Sequence, residues 1–184
     1  MEIDVRPGRG REVVGPPGGP TVKIPSGFTI TVTDHPPYDL RFVTAWDQAQ
    51  RRLMLREVTF LSAGDEPVRM ASIIRVAIGE LTDQAMERHV LGGRGWPGVV
   101  EDHPDAEPER VDALVYLLSV ALGSPKPSAN VAIARGLSPA SGPKRVGYAR
   151  KAGLLPETSS GKPSAGLFSF DTAARRERMG HTHS

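Results

Sequence analysis

The sequence predicts an α+β fold in which a small sheet comes first and helices follow. Residues 28–33, FTITVT, alternate apolar and polar side chains as a strand does. Residues 40–46 and 53–61 carry two more β-type patterns around the polar segment 47–52, which indicates a β-hairpin. From residue 70, and again from residue 108, apolar residues recur at helical spacing. We therefore expect a small N-terminal unit of a β-hairpin and a helix, followed by a C-terminal helical domain.

Composition and spacing divide the chain into five parts. Residues 1–20 are rich in Gly, Pro and Arg, which predicts a flexible arm. Residues 21–91 are predicted to form the α+β unit, with a dimerisation or partner-docking role and a helix that runs to about Val90. Residues 92–107, rich in Gly, Pro and acidic residues, are predicted to be a linker. Residues 108–166 form the expected helical domain, and residues 167–184 form a basic tail.

The helical domain is predicted to begin with a supporting helix and to continue with two short helices joined by a tight turn. Pro108 suits a helix start, because the N–H that it lacks would have no partner in a first turn. The apolar stripe of the supporting helix consists of Val111, Leu114, Val115, Leu118 and Leu122. Gly136 can adopt a left-handed conformation and is predicted to end the next helix. Because Pro143 fits best in a first helical turn, the last helix is expected to start at Gly142 or Pro143.

The last helix has a small buried side and a cationic outer side. The residues expected to pack inward are Val146, Ala149 and Gly153. Lys144, Tyr148 and Lys151 recur at i, i+4 and i+7 and are expected to face outward. Gly147 leaves room for the close approach of another backbone. A helix with these properties suits insertion into a major groove lined by phosphates.

Eight residues are the candidates for contacts with DNA. Those expected in the groove are Lys144, Arg145, Tyr148 and Lys151. Those expected on phosphates are Lys126, Ser138, Arg150 and Lys162. Lys162 is at the tip of the loop 156–162, which stands where a winged helix has its wing. Ser138 also offers a hydroxyl to cap the helix that follows it.

These residues resemble the helix-turn-helix of small DNA-binding regulators of high-GC bacteria, over about residues 111–166. The family pattern runs V-A, three residues, G-[VL]-S, then R-x-V-x-x-A-R-x-x-G-L-L-P and a G-K. The matching residues are Val131, Ala132, Gly136, Leu137, Ser138, Lys144, Val146, Ala149, Arg150, Gly153, Leu154, Leu155, Pro156, Gly161 and Lys162. The chain departs from the pattern at Arg135, where the family has an apolar residue, and at Gly142–Pro143, which replaces a helix-favouring pair. The resemblance implies a helix-turn-helix, with or without a wing, that binds double-stranded DNA.

Positive charge is concentrated in the same part of the chain. The whole chain has a net charge of +2 at pH 7. Residues 125–184 contain ten Lys or Arg against three acidic residues, a net charge of +7, which leaves −5 for the rest. Localised positive charge attracts a polyanion through the release of counterions. The alternative explanation is a solvated basic surface that has no partner.

Other functional classes find little support in the residues. The histidines have no motif that links them to a nucleophile or a carboxylate pair, so neither an enzyme nor a cofactor is predicted. The G-x-G-x-x-G match at 93–98 follows a helix pattern and contains Pro97, which argues against a dinucleotide site. The acidic residues of 101–109 lack the spacing of a calcium loop. The absence of cysteine, of a long apolar run and of a signal-peptide pattern predicts a cytoplasmic protein, nucleoid-associated if it binds DNA.

The function predicted from the sequence is sequence-specific binding of double-stranded DNA by a transcriptional regulator, as a homodimer formed through residues 21–91. Two alternatives stay open. In the first, the helix-turn-helix is structural and the chain is an interaction module for another protein. In the second, the chain is an accessory protein of a mobile element or phage that uses the fold in DNA packaging or replication.

Overall fold

The computed structural model describes residues 2–33, 38–62 and 78–156. The strands are β1 (Glu2–Pro7), β2 (Arg11–Val14), β3 (Val22–Pro25), β4 (Gly27–Thr33), β5 (Tyr38–Asp47) and β6 (Arg52–Ser62). The helices are α1 (Ile78–Val90), α2 (Gly95–Glu101), α3 (Pro108–Ala121), α4 (Pro127–Ala134) and α5 (Gly142–Lys151), and a 3-10 turn at Pro139–Ser141 leads into α5. Strands precede helices along the chain, so the predicted α+β class is confirmed.

The main sheet is antiparallel and has the strand order β1-β4-β5-β6. The alternation of FTITVT is realised in β4, where Phe28, Ile30 and Val32 are buried and the threonines between them are half-buried. Ile30 lies opposite Phe42 of β5. The predicted hairpin of residues 40–61 consists of β5 and β6 and is confirmed. The buried side chains of β4 and β5 belong to the hydrophobic core, so the helices pack on this face of the sheet.

The prediction of a flexible arm over residues 1–20 was wrong, because two strands lie there. β1 pairs with β4, with Ile3 opposite Val32. β2 pairs with β3 in a second, two-stranded sheet. The Gly19 N–H donates to the Pro16 carbonyl at 3.2 Å and closes the turn between β2 and β3. The Gly and Pro residues that suggested disorder form this tight turn and the passage from one sheet to the other.

The two sheets are parts of one long, bent hairpin. The Gly8 N–H donates to the Gly27 carbonyl at 2.8 Å, and the Ser26 N–H donates to the Gly10 carbonyl at 3.1 Å. These two hydrogen bonds continue the antiparallel pairing from β1 and β4 into β2 and β3. The chain from residue 2 to residue 33 is therefore a single supersecondary unit.

The predicted linker of residues 92–107 contains the helix α2. Trp96 and Val99 of this helix are buried. Pro97, which argued against a dinucleotide site, lies in the first turn of α2, where backbone N–H groups have no partner within the helix. Arg94 and Asp102 form a bidentate ion pair beside α2, with N–O distances of 2.7 and 2.6 Å. The composition of this segment concealed a short amphipathic helix.

One hydrophobic core joins the sheets to the helices, and α3 runs through it. Every residue from Val111 to Ser119 is buried. The predicted apolar stripe of α3 is confirmed, and the other sides of the helix are covered as well, because β2, β6, α2, α4 and α5 all contact it. A helix that is apolar on all sides is typical of a protein interior. The core takes residues from both the predicted 21–91 unit and the predicted helical domain.

Three predicted features lie outside the described residues. They are the start of the helix at residue 70, the loop residues 157–162 with Lys162, and the basic tail of 167–184. Within the ranges that the structure describes, none of the helices combines the length and the apolar character needed to cross a membrane.

Candidate functional site

The candidate site is built from α4, the 3-10 turn and α5. α4 ends at Gly136, as predicted, and the φ angle of this glycine is +66°. The Leu137 N–H donates to the Ala132 carbonyl and the Gly136 N–H to the Ile133 carbonyl, each at 2.9 Å. This pair of hydrogen bonds is the Schellman pattern that ends a helix. The 3-10 turn then leads into α5, which starts where the sequence predicted.

A close approach between α4 and α5 explains why α5 begins with glycine and proline. A Cβ added to Gly142 would lie 1.9 Å from the carbonyl oxygen of Ser128, in the first turn of α4. No side chain fits in that space, so the two helices meet backbone to backbone. Pro143 follows in the first turn of α5, where a missing N–H costs little.

α5 presents the two sides that its spacing predicted. Val146 and Ala149 are fully buried, whereas Lys144, Tyr148 and Lys151 are exposed. The Lys144 Nζ lies 5.9 Å from the centroid of the Tyr148 ring, at the outer limit of a cation–π contact. The exposed side of α5 is thus a stripe of two lysines and a tyrosine along two helical turns.

A buried carboxylate connects the three helices around the site. Asp112 of α3 is 2% exposed, and each of its oxygens binds one arginine. Arg135, at the end of α4, donates from Nε to Oδ1 at 2.9 Å, and Arg145 of α5 donates from Nε to Oδ2 at 2.7 Å. Arg135 also donates from Nη2 to the Pro108 carbonyl at 2.8 Å. The arginine that stands at an apolar position of the family pattern therefore has a structural partner.

Two of the residues predicted to contact DNA are held by other residues of the protein. Arg145 is bound to Asp112, as described. Arg150 lies over the ring of Tyr116 in α3, 5.5 Å from its centroid. Arg150 also donates to the Tyr116 hydroxyl at 3.4 Å and to the Pro156 carbonyl at 3.3 Å. Both arginines are half-buried, and these contacts orient α5 against α3.

The remaining predicted contacts lie on the surface or outside the described residues. Lys126 is exposed and immediately precedes α4. Ser138 is exposed before the 3-10 turn, and its hydroxyl does not form the predicted cap; its carbonyl instead accepts a hydrogen bond from the Ser141 hydroxyl at 2.7 Å. Gly153, expected to pack inward, is exposed because α5 has already ended. Lys162 is outside the described residues.

A small polar network fixes the start of α4 against the end of α3. The Asn130 amide donates to the Ser119 hydroxyl at 3.2 Å and to the Ser124 hydroxyl at 2.9 Å. The Ser119 hydroxyl in turn donates to the Val115 carbonyl at 2.8 Å. α4 is therefore held to α3 at its first turn by Asn130 and at its end by the ion pair with Asp112.

Sequence reasoning missed Asp112 and Asn130. The available signal for Asp112 was a single acidic residue in a helix pattern that is otherwise apolar. Its partners are 23 and 33 residues away in the sequence, so no local spacing connects them. For Asn130, the only signal was an amide within a short run of good helix formers.

The surface of this region carries uncompensated positive charge. From Ala113 to Pro156 the sequence contains six Lys or Arg and no Asp or Glu. The three arginines have the internal contacts given above, whereas Lys126, Lys144 and Lys151 are exposed. Within the described part of the chain, none of these three ammonium groups forms an ion pair. A polyanion would therefore meet free lysines here.

Comparisons of the chain with models of protein families, with curated proteins and with solved structures found no match. In the ranges that the structure describes, no group of three or more His, Cys, Asp or Glu residues is placed to hold a metal ion. The fold and the site define an α+β protein with a lysine-bearing surface on two short helices joined by a tight turn.

Proposed function

We propose that the chain binds double-stranded DNA through α4, the 3-10 turn and α5, acting as a helix-turn-helix, and that it regulates transcription. The observation that supports this proposal most is the exposed side of α5, with Lys144, Tyr148 and Lys151 in a region that has no acidic residue from Ala113 to Pro156. DNA binding depends on lysines and arginines that displace counterions from phosphates. A carboxylate on the same surface would oppose that attraction.

The shape of α5 supports insertion into the major groove. The groove is about 12 Å wide and admits one α-helix. Nothing lies within 4 Å of the position that a Cβ of Gly147 would occupy. Between Lys144 and Lys151, the backbone of α5 is therefore not covered by a side chain at this position. A base edge or a sugar can approach the backbone of α5 there, with Lys144 one turn before and Lys151 one turn after.

The contacts described above divide the predicted DNA-binding residues into two groups. Lys144, Tyr148 and Lys151 are assigned to the groove. Lys126 and Ser138 are assigned to phosphates, and Lys162 keeps its predicted role at a wing. Arg145 and Arg150 are assigned to the positioning of α5, because Asp112 and Tyr116 occupy their guanidinium groups. A homodimer formed through residues 21–91 would place two such surfaces on paired half-sites.

The decisive experiment compares two lysines of the stripe with one lysine elsewhere. We expect Lys144→Gln and Lys151→Gln each to weaken binding to a labelled DNA duplex and to reduce the slope of log K against log salt by about one, between about 50 and 200 mM salt. Lys23→Gln is the matched control, because Lys23 is an exposed lysine on β3. Fluorescence anisotropy provides the isotherms. If the three variants give equal isotherms, or if the wild type does not bind DNA at low salt, the exposed side of α5 is not a DNA-binding surface.

Regulation of transcription further requires sequence preference. Selection of bound duplexes from a random-sequence library should yield a motif with two related half-sites, and Tyr148→Ala should relax the preference at defined positions of that motif. A library that stays random after repeated selection would leave DNA binding in place and contradict the regulatory role.

A protein-interaction module is the second candidate function. Ile133 and Leu137 are apolar and each is 42% exposed. Exposed apolar residues on a shared segment are typical of contact surfaces. The outcome that would favour this function is the absence of DNA binding at low salt, together with a partner that co-purifies at fixed stoichiometry and is lost in Leu137→Ser.

A further inference from the structure

β1 is an end strand of the main sheet, and its outer edge carries free backbone groups. The Gly8 N–H donates to the Gly27 carbonyl, so these two residues form a hydrogen-bonded pair at the end of the β1–β4 ladder. Hydrogen-bonded and non-hydrogen-bonded pairs alternate along an antiparallel ladder, so residues 2, 4 and 6 also bond to β4. The backbone groups that point away from β4 therefore belong to Ile3, Val5 and Pro7. Among the residues that the structure describes, no strand pairs with this outer edge.

The pairing on the other side of β4 agrees with this assignment. The Trp46 N–H donates to the Ser26 carbonyl at 2.7 Å, which starts a ladder in which the backbone groups of residues 28, 30 and 32 face β5. Those of residues 27, 29, 31 and 33 are left for β1. Ile3 and Val5 thus each present an N–H and a carbonyl at the outer edge. Pro7 presents a carbonyl alone, because proline has no N–H.

The side chains of β1 that face the core are only partly covered. Ile3 and Val5 lie opposite the fully buried Val32 and Ile30 of β4, yet both are half-buried. A groove of about 470 Å³ lies beside them, between β1 and α1. Its lining consists of Ile3, Val5, Gln84, Ala85, Arg88 and His89. An apolar strip therefore continues to the outer edge of the sheet.

The opposite face of β1 carries exposed charges of both signs. Asp4 and Arg6 are exposed, and the Arg6 Nε donates to Asp4 Oδ2 at 2.9 Å. Charged side chains on an end strand discourage pairing with unrelated strands. A strand that carries the same two charges in reverse order would instead place opposite charges across from each other. A second copy of β1 that runs antiparallel to the first has this order.

We propose that β1 pairs with β1 of a second copy of the chain, about a two-fold axis at Val5, so that the two main sheets form one continuous antiparallel sheet. In this register Val5 lies opposite the partner's Val5, Ile3 opposite the partner's Pro7, and Asp4 opposite the partner's Arg6. Cross-strand pairs on the groove side are apolar, and those on the outer side have opposite charges. Val5 and the partner's Val5 exchange two hydrogen bonds, and each Ile3 N–H reaches the Pro7 carbonyl of the other copy.

A different register or a different edge matches less well. A two-fold axis at Asp4 would place Asp4 opposite the partner's Asp4, and like charges directly opposite each other are destabilising. The other end strand of the main sheet is β6. Val43 lies opposite Glu57 and Thr44 opposite Leu55, so Arg56 forms a bulge in β6. Bulges and exposed charges protect an edge from pairing.

This interface gives a definite surface to the homodimer that is part of the proposed function, and only its use on paired half-sites rests on that function. The sequence predicted dimerisation through residues 21–91. β1 lies outside that range, but it completes the sheet that β4, β5 and β6 form. The pairing itself requires no DNA.

The first test uses single cysteines, because the chain contains none of its own. Val5→Cys should give a disulfide-linked dimer under mild oxidation. Opposite Cα atoms of a hydrogen-bonded pair are about 5.5 Å apart, which is within the range of disulfides. Thr59→Cys is the control on β6, half-buried like Val5, and should stay monomeric on a non-reducing gel. If Asp4→Cys forms cross-links faster than Val5→Cys, the two-fold axis is not at Val5.

The second test exchanges charges and measures dimerisation of the full chain by analytical ultracentrifugation. Asp4→Lys and Arg6→Asp should each raise the Kd of the homodimer about tenfold, because like charges then lie opposite each other twice. An equimolar mixture of the two variants should form heterodimers about as tight as the wild type, since each introduced charge then faces its opposite. Positions 4 and 6 carry like charges within each variant chain, so a repaired contact within one chain cannot explain such a recovery.

The outcomes separate this proposal from the proposed function. A wild type that stays monomeric at every concentration, or a mixture that dimerises no better than the single variants, would overturn the interface. Asp4→Lys should bind a duplex with a single half-site as the wild type does, because β1 is not part of α4 or α5. Dimerisation with the predicted variant pattern in a protein that binds no DNA confirms the interface and contradicts only the proposed DNA binding.

Discussion

At the scale of single residues, Asp112 shows how strongly one buried charge can determine the placement of a surface. Its carboxylate is shared by Arg135 and Arg145. The two oxygens of one residue of α3 therefore hold both the end of α4 and the helix α5 in position. Removing one partner of a buried ion pair leaves the other charge uncompensated, which is more costly than never having had the pair.

Asp112→Asn should therefore destabilise the fold by about 3–5 kcal/mol. Glu109→Gln, one turn earlier on the same helix, should change the free energy of unfolding by less than about 0.5 kcal/mol. Urea denaturation followed by circular dichroism measures both. A cost for Asp112→Asn that equals that of Glu109→Gln would show that the carboxylate is not structural.

The neighbouring residues Lys144 and Arg145 should behave in opposite ways. Arg145→Gln should lower stability, because it removes one of the two partners of Asp112. Lys144 has no ion pair within the described part of the chain, and Lys144→Gln should leave stability unchanged while it weakens DNA binding. The sequence analysis placed both residues in the groove, because the partner of Arg145 is 33 residues away and no local spacing indicates it.

At the scale of elements, α5 contains two glycines with different roles: the packing of the helices requires a glycine at 142 but not at 147. Gly142 contacts the backbone of α4 and cannot carry a side chain. Gly147 has open space around its Cβ position and weakens the helix without any internal benefit. The close approach of a binding partner to the backbone would be a physical reason for the glycine at position 147.

Gly147→Ala should separate stability from binding. The substitution should stabilise the chain by about 0.5–1 kcal/mol, because alanine favours the helix and meets no neighbour. The same methyl group should weaken DNA binding, since it raises the surface between Lys144 and Lys151. Gly147→Leu should weaken binding further. A gain in stability without any loss of affinity would mean that the backbone of α5 does not approach DNA at this point.

The elements that the sequence predicts well are those with a clear period and a clear end. The strands β4, β5 and β6, the helix α3 and the start of α5 follow from alternation, helical spacing and the positions of glycine and proline. The strands β1 and β2 were missed because each is short and is flanked by Gly and Pro, and their partners supply most of their order. α2 was missed because Pro97 is compatible with a first turn as well as with a break.

The candidate site could be predicted only in part, for a different reason. The outward direction of Lys144, Tyr148 and Lys151 follows from the helical period and is confirmed. The internal contacts of Arg135, Arg145 and Arg150 depend on where α3 lies relative to α4 and α5. No local sequence pattern predicts the position of α3.

At the scale of the whole molecule, α1 brings two carboxylates into the region where it meets α2 and α3. Asp83 lies beside the end of α3, with its Oδ1 3.7 Å from the position that a Cβ of Gly123 would occupy, and the Glu87 carboxylate accepts a hydrogen bond from Trp96 of α2. Burial raises the pKa of both groups, and for Asp83 the charge of Glu87 adds to the effect. The folded protein therefore holds protons on these groups at pH values where the unfolded chain has lost them.

Stability should respond to pH accordingly. The pKa of Asp83 rises from its usual 3.8 to about 6, so this group favours the folded state in acid and loses that contribution as pH rises from about 4 to 6. Asp83→Asn should be more stable than the wild type above pH 6, and the difference in Tm should vanish near pH 4. Asp105→Asn is the exposed control. A difference that stays constant over this pH range would contradict the burial of an ionisable Asp83.

The bent hairpin of residues 2–33 has a consequence for the order in which the sheet assembles. Pairing Glu2 with Thr33 directly would require the ends of a long loop to meet, and the entropy of closing a loop grows with its length. β2 and β3 are much closer in sequence and are joined by a tight turn at Pro16–Gly19. Once they pair, the hydrogen bonds at Gly8 and Ser26 extend the ladder residue by residue toward β1 and β4. The small second sheet can thus act as the nucleus from which the pairing of β1 with β4 proceeds.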